Sequence, residues 1–144
     1  MARVEKSVLV AHPPERMFEL VDRVEDYPDF LPWCGGTELI TRDEHRTVAT
    51  IHIAYMGIRQ HFTTKNLKSH PREMRITLQD GPFSELEGDW SFIPLGDDAC
   101  KIEFRLHYVF SSRVLETLLA PVFSHITNSF VDAFVRRADA VYAV

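Results

Sequence analysis

A chain of 144 residues, 45% of them hydrophobic, is long enough to bury one core without disulfide or metal staples, so one domain over 1–144 is expected. The formal charge of -5 and a pI near 5.8 remove any general attraction toward DNA, RNA or an anionic membrane; nucleic-acid contact would need a local patch, and no DNA partner is expected. Cys34 and Cys100 are the only cysteines, far apart and in different expected elements, which is neither a disulfide framework nor a metal spacing.

The first residues, MARVEKSVLVAHPPER, alternate charge with short apolar runs and lack the continuous apolar core of a secretory signal. No segment reads as the ~20 apolar residues of a membrane span. A cytoplasmic location is therefore expected, with peripheral contact at the inner face of the membrane left open. Within this stretch, residues 3–10 are valine-rich and alternate with charge, which predicts a strand broken at His12-Pro13-Pro14-Glu15.

A short helix should follow, with Pro14 in its first turn, Glu15 at its positive end, and Met17, Phe18, Leu20 and Val21 as its apolar stripe. It should end between Asp22 and Tyr27, because Pro28 disfavours helix in the residue before it. The run from Tyr27 to Gly36 is too apolar for a solvated loop and too broken by proline and glycine for regular structure. It reads as a stiffened loop. Its aromatic side chains have two readings, plug of a closed core or gate at a cavity mouth, and for Trp33 the two are open.

From Thr37 to Phe110 the pattern changes to period two, with turn signals near Asp43-Glu44, Met56-Gly57, Ser69-His70-Pro71, Asp80-Gly81-Pro82 and Leu95-Gly96-Asp97-Asp98. Six meandering strands result. The last is the clearest: Ile102, Phe104, Leu106, Tyr108 and Phe110 share one face, and Lys101, Glu103, Arg105 and His107 share the other. Gly88 interrupts a strand on the face of Leu86, Trp90 and Phe92, which signals a bulge or the close approach of another group, either a helix or a ligand.

After Ser111-Ser112, which can cap a helix, the period lengthens. Leu115, Leu118, Leu119, Val122, Phe123, Ile126, Phe130, Phe134, Ala138 and Val141 form a wide apolar face on a helix spanning 111–142. Pro121 removes one backbone donor, so a kink or a fresh helix start is expected there. Arg136, Arg137 and Asp139 read as a stabilising surface group near its end.

This order gives an α+β fold in which a curved seven-stranded antiparallel sheet closes over one long C-terminal helix, with one or two short helices after the first strand. A strongly twisted sheet leaves a concave space wider than one helix fills, and apolar clefts of that kind bind small molecules. The expected lining is Phe30, Leu31 and Trp33 from the loop, Trp90, Phe92, Phe104, Leu106 and Tyr108 from the sheet, and Leu119, Phe123, Ile126 and Phe130 from the helix. Each taken singly is ordinary core. Tyr108 carries a polar tip able to donate to a carbonyl.

Catalytic and metal readings are weaker. Thr50 and His52 alternate with Ala49, Ile51 and Ile53, but no nucleophile motif accompanies them and His52 fits the wet face equally well. The seven histidines show no metal-ligand spacing, and the glycines show no phosphate-binding pattern.

Four stretches carry a resemblance: YPDFLPWC at 27–34, DGPFSELEGDWSF at 80–92, KIEFRLHYVF at 101–110 and VDAFVRRADAVY at 131–142. They resemble the coenzyme Q-binding START-domain family, which includes bacterial ribosome-association toxins and proteins labelled oligoketide cyclases. The likeness runs from about Lys6 to Tyr142. It implies a helix-grip fold, a hydrophobic tunnel, and binding of ubiquinone or a polyprenyl relative as a ligand rather than a catalytic cofactor. It implies equally a second role, binding the large ribosomal subunit and hindering subunit joining. A polyketide cyclase or aromatase is the weakest reading, because no acid and base pair is identifiable in the sequence.

Overall fold

The computed structural model describes residues 2–142. Strand β1 (Ala2–Val10) leads into α1 (Pro14–Asp22) and a 3₁₀ helix over Val24–Asp29. Six strands follow: β2 (Cys34–Arg42), β3 (Arg46–Tyr55), β4 (Ile58–Ser69), β5 (Glu73–Asp80), β6 (Phe83–Pro94) and β7 (Cys100–Phe110). The chain then enters α2 (Arg113–Val141), 29 residues long. All seven strands form one sheet in the order β1-β7-β6-β5-β4-β3-β2, and every neighbouring pair is antiparallel. This is the helix-grip arrangement expected from the sequence.

Register places the alternating pattern. In β7, Ile102, Phe104 and Tyr108 are buried and face α2, while Arg105 lies exposed on the convex side and pairs with Asp89 across the strand. Rings from sheet and helix interlock. Trp90 lies 4.6 Å from Phe104 and 5.5 Å from Phe134 between ring centroids, and Phe83 meets Phe123 edge-on at 5.0 Å. Such pairs add to the area term that drives burial.

Four features correct the sequence reading. Strand β2 starts at Cys34, three residues earlier than Thr37, because the Ala54 amide donates to the Trp33 carbonyl and carries the β3 pairing up to the loop. Of the kink or fresh start expected at Pro121, the fresh start does not occur: one helix runs through it, with Leu119, Val122 and Phe123 buried on either side. Its apolar face is also narrower at this end, since Leu118 is exposed. By length and apolar content α2 is itself able to cross a membrane, contrary to the expectation that no segment qualifies. Here it packs under the sheet, as the core helix of a folded domain does.

The start of α2 is capped as expected: the Leu115 amide donates to Ser112 Oγ at 3.2 Å. Gly81, between β5 and β6, adopts φ +150°, and a Cβ there would sit 2.7 Å from that of Phe62, so a side chain would collide with β4.

A polar corner ties the short helices to the sheet. Thr47 donates to Asp22 Oδ1 at 2.6 Å, Lys68 Nζ lies 3.1 Å from Oδ2, and Arg42 lies 3.5 Å from the same oxygen. Arg42 also donates twice to Glu25, at 2.7 and 2.9 Å. The guanidinium holds the Glu25 carboxyl down to about 2. At the other end of the chain His12 bonds Asp139 at 2.7 Å. Asp139 thus belongs to the β1–α1 corner rather than to a surface group with Arg136 and Arg137.

Candidate ligand cavity

Between α2 and the concave face lies an apolar cavity of about 80 Å³. Trp90, Phe104, Leu106 and Tyr108 wall it from the sheet, Phe123, Ile126 and Phe130 from α2, and Trp33 from the loop. These are eight of the twelve residues expected to line it. The other four lie elsewhere: Leu31, Phe92 and Leu119 are buried in the surrounding core, and Phe30 packs on Tyr27 and Phe134 beneath the Arg137 guanidinium. Alternation identifies the face a strand residue occupies, but not its position along the length of the helix. Phe92, with Phe18 stacked edge-on at 5.8 Å, is at the end closed by α1.

Residues missed from sequence complete the wall. Val21 and Val24 come from the short helices, and Phe62, Thr64 and Asn66 come from β4. The signal for the β4 set was the phase set by Phe62: every second residue after it points inward, polar or not. Thr50 and His52 fall in the opposite phase, on the convex side. Thr50 shares a 2.6 Å hydroxyl contact with Thr63, and His52 is half-exposed beside Glu38 at 3.2 Å.

Gly88 sits in a strand row that crosses the sheet beneath the cavity. Asn66, Ile76, Gly88 and Leu106 lie in register across β4, β5, β6 and β7. The group that approaches Gly88 is neither the helix nor a ligand but strand β7: a Cβ would meet the Arg105 carbonyl oxygen at 2.3 Å.

Among the described residues, none with a carboxylate, imidazole or cationic side chain lines the cavity. Its polar side-chain groups belong to Tyr27, Thr64, Asn66, Tyr108 and Thr127, with the indole N–H groups of Trp33 and Trp90. Tyr27 donates to the Val21 carbonyl and Thr127 to the Phe123 carbonyl, so both hydroxyl protons are engaged. Burial pushes the Tyr108 phenol above its ordinary value, with the Thr127 hydroxyl acting the opposite way. The cysteines add no reactive thiolate: burial raises both, Cys100 to about 11.

Trp33 has two sides. Only 3% of it is exposed, its indole lies 6.0 Å from the Phe130 ring, and it separates the cavity from an outer groove lined by Pro32, His125, Ser129, Arg136 and Arg137. Trp33 therefore lines both spaces from a buried position.

The chain matches the family described as polyketide cyclase / dehydrase and lipid transport over residues 10–135. It is 41% identical over 142 residues to the ribosome association toxin RatA of Vibrio cholerae, covering 99% of each chain. It is 24% identical over 132 residues to the mitochondrial coenzyme Q-binding protein COQ10 homolog B of Xenopus laevis, spanning 89% of this chain and 54% of that protein. Among solved structures, the Zhui aromatase/cyclase from Streptomyces sp. R1128 superposes with a TM-score of 0.82 at 18% identity, over 96% of this chain and 93% of that one. A likeness at that identity establishes the fold alone.

Proposed function

The chain belongs to the polyketide cyclase / dehydrase and lipid transport family, and from that premise we propose that it binds a polyprenyl quinone, or a small molecule of similar build, without transforming it. The carrying observation is the cavity itself: an aromatic interior under one helix, with hydroxyl and amide groups and, among the described residues, no carboxylate, imidazole or cationic side chain in its walls. An isoprenoid tail is taken up in proportion to the apolar area it buries, at ~25 cal/mol per Å², so selection rests on the polar end of the ligand. The name of the Xenopus laevis relative supports coenzyme Q as the ligand class.

The test is uptake. Protein purified gently is analysed by mass spectrometry for co-purifying lipid, then stripped and offered quinone and polyprenyl alcohol of equal tail length. Phe123→Ala should weaken every long-chain ligand alike, because it removes tail contacts. Tyr108→Phe should weaken quinone relative to the alcohol, because it removes only the hydroxyl. Failure of folded, stripped protein to take up either ligand rejects the proposal.

A second reading has its own support. The Vibrio cholerae relative, similar over the whole chain, is named for ribosome association. The outer groove beside Trp33 places Arg136, Arg137 and His125 together, a local basic patch on an acidic chain. On this reading the protein docks on the large ribosomal subunit through that groove. Sedimentation of a lysate separates the two: co-migration with 50S particles, lost on Arg136→Glu with Arg137→Glu, supports the ribosome, and co-migration with membranes supports the lipid.

A further inference from the structure

Asn66 is 8% exposed, lines the cavity, and its Oδ1 has no hydrogen-bond partner among the described residues. Its other amide atom, Nδ2, donates to the Met74 thioether at 3.7 Å. That contact fixes which way the amide points. A thioether sulfur accepts hydrogen bonds and cannot donate one, so the NH₂ must face Met74 and the carbonyl oxygen must face the other way. Met74 is fully buried and cannot swing aside to reverse the choice.

From this geometry we infer that the cavity selects a ligand whose polar end carries a hydroxyl donor, bonded to Asn66 Oδ1, and hence that among quinones it takes the reduced, hydroquinone form. The inference rests on the proposed ligand class and goes beyond it by assigning a redox state. An oxidised quinone presents only carbonyl oxygens. Against Asn66 it sets acceptor on acceptor and leaves a buried amide oxygen unsatisfied. A hydroquinone presents two O–H groups, and the same oxygen that donates to Asn66 can accept from another hydroxyl.

The register gives the ligand its place. Asn66 begins the row that runs through Ile76 and Gly88 to Leu106, so its amide shares the sheet face of the cavity with Ile76 and Leu106. Trp90 and Phe104 close the next row and present aromatic faces.

The experiment is a pair of anaerobic binding titrations, using one benzoquinone with a ten-carbon tail in its oxidised and in its reduced form. The protein is wild type or Asn66→Leu, a change of similar shape that removes the acceptor. Wild type should bind the reduced form about tenfold more tightly, the scale expected when a buried acceptor is satisfied rather than stranded. Asn66→Leu should bind both forms equally. Equal affinity of wild type for the two forms, or a preference for the oxidised one, overturns the inference while leaving quinone binding in place. Persistence of the preference in Asn66→Leu overturns the assignment to Asn66. Binding of neither form rejects the ligand class together with the inference. The wild-type comparison stands even if the variant folds poorly.

Discussion

The Asp22 corner and the Asn66 floor are both polar sites in an apolar protein, and they are completed in opposite ways. Both Asp22 carboxylate oxygens have donors from Thr47 and Lys68, with Arg42 beside them, and 6% of the Lys68 side chain is exposed. Asn66 holds one weak contact to sulfur and one oxygen with nothing from the protein. The magnitudes account for the contrast. Stranding a buried charge costs about 3–5 kcal/mol, whereas an unsatisfied neutral carbonyl costs about 1–3 kcal/mol. A marginally stable fold must close the first site from within, and can leave the second for a ligand to close.

The contrast is broken most strongly at its charged end. Asp22→Ala removes the partner of the buried Lys68 ammonium and should lower unfolding free energy by about 3–5 kcal/mol, read from denaturant curves. Asn66→Leu, measured alongside, should change it by less than about 1 kcal/mol, since replacing a half-satisfied amide by an apolar group of similar shape is nearly neutral. Equal losses at the two positions would erase the distinction between them.

Trp33→Ala should come next, at about 3 kcal/mol, because the indole is as buried as any core aromatic. It should also speed ligand uptake by joining the cavity to the outer groove, which stopped-flow fluorescence would resolve. Stability lost with uptake unchanged assigns Trp33 to the core alone.

A smaller effect belongs to the outer part of the polar corner. The Glu25 carboxyl titrates at about 2 rather than its ordinary 4.5, mainly through its hydrogen bonds from Arg42. The folded value lies below the unfolded one, so the pair stabilises fully above about pH 4.5 and loses its contribution as pH falls toward 2. With 41% of the Glu25 side chain exposed, that contribution stays below about 1 kcal/mol. Wild type should therefore exceed Glu25→Gln in stability at neutral pH, and the gap should close as the solution is acidified. Smallest of all, Arg105→Gln on the convex face should leave the denaturant midpoint unchanged, because its pair with Asp89 is in water.

The fold was legible because its physics is periodic. β7 alternates over its whole length, the helix period begins after a capping serine, and short turns allow only antiparallel neighbours. The cavity was legible in part for the same reason: Trp90, Phe104 and Tyr108 advertise an inward face. Thr64 and Asn66 did not, since a polar residue in a strand reads as a wet one unless its phase is traced from Phe62. Phe92 and Leu119 were placed on the correct faces and still fell outside the cavity, because depth along the helix axis depends on how α1 closes one end. The meaning of Gly88 needed the register with Arg105 and Leu106, which no single strand contains.

A hollow of about 80 Å³ falls well short of the roughly 300–1,000 Å³ of small-molecule sites, so the proposed quinone would enter only when the walls part. Loading then becomes a question of populations. The apparent dissociation constant is the intrinsic one divided by the fraction of molecules that stand open; an open fraction of roughly one in a hundred weakens apparent affinity about a hundredfold, or about 2.7 kcal/mol. Opening also sets the clock for release, so a closed protein retains its cargo far longer than the contacts alone would dictate. Any surface that binds the open form more tightly shifts the balance and discharges the ligand where that surface is met. A carrier of the proposed ligand built in this way would deliver by location rather than by weak affinity.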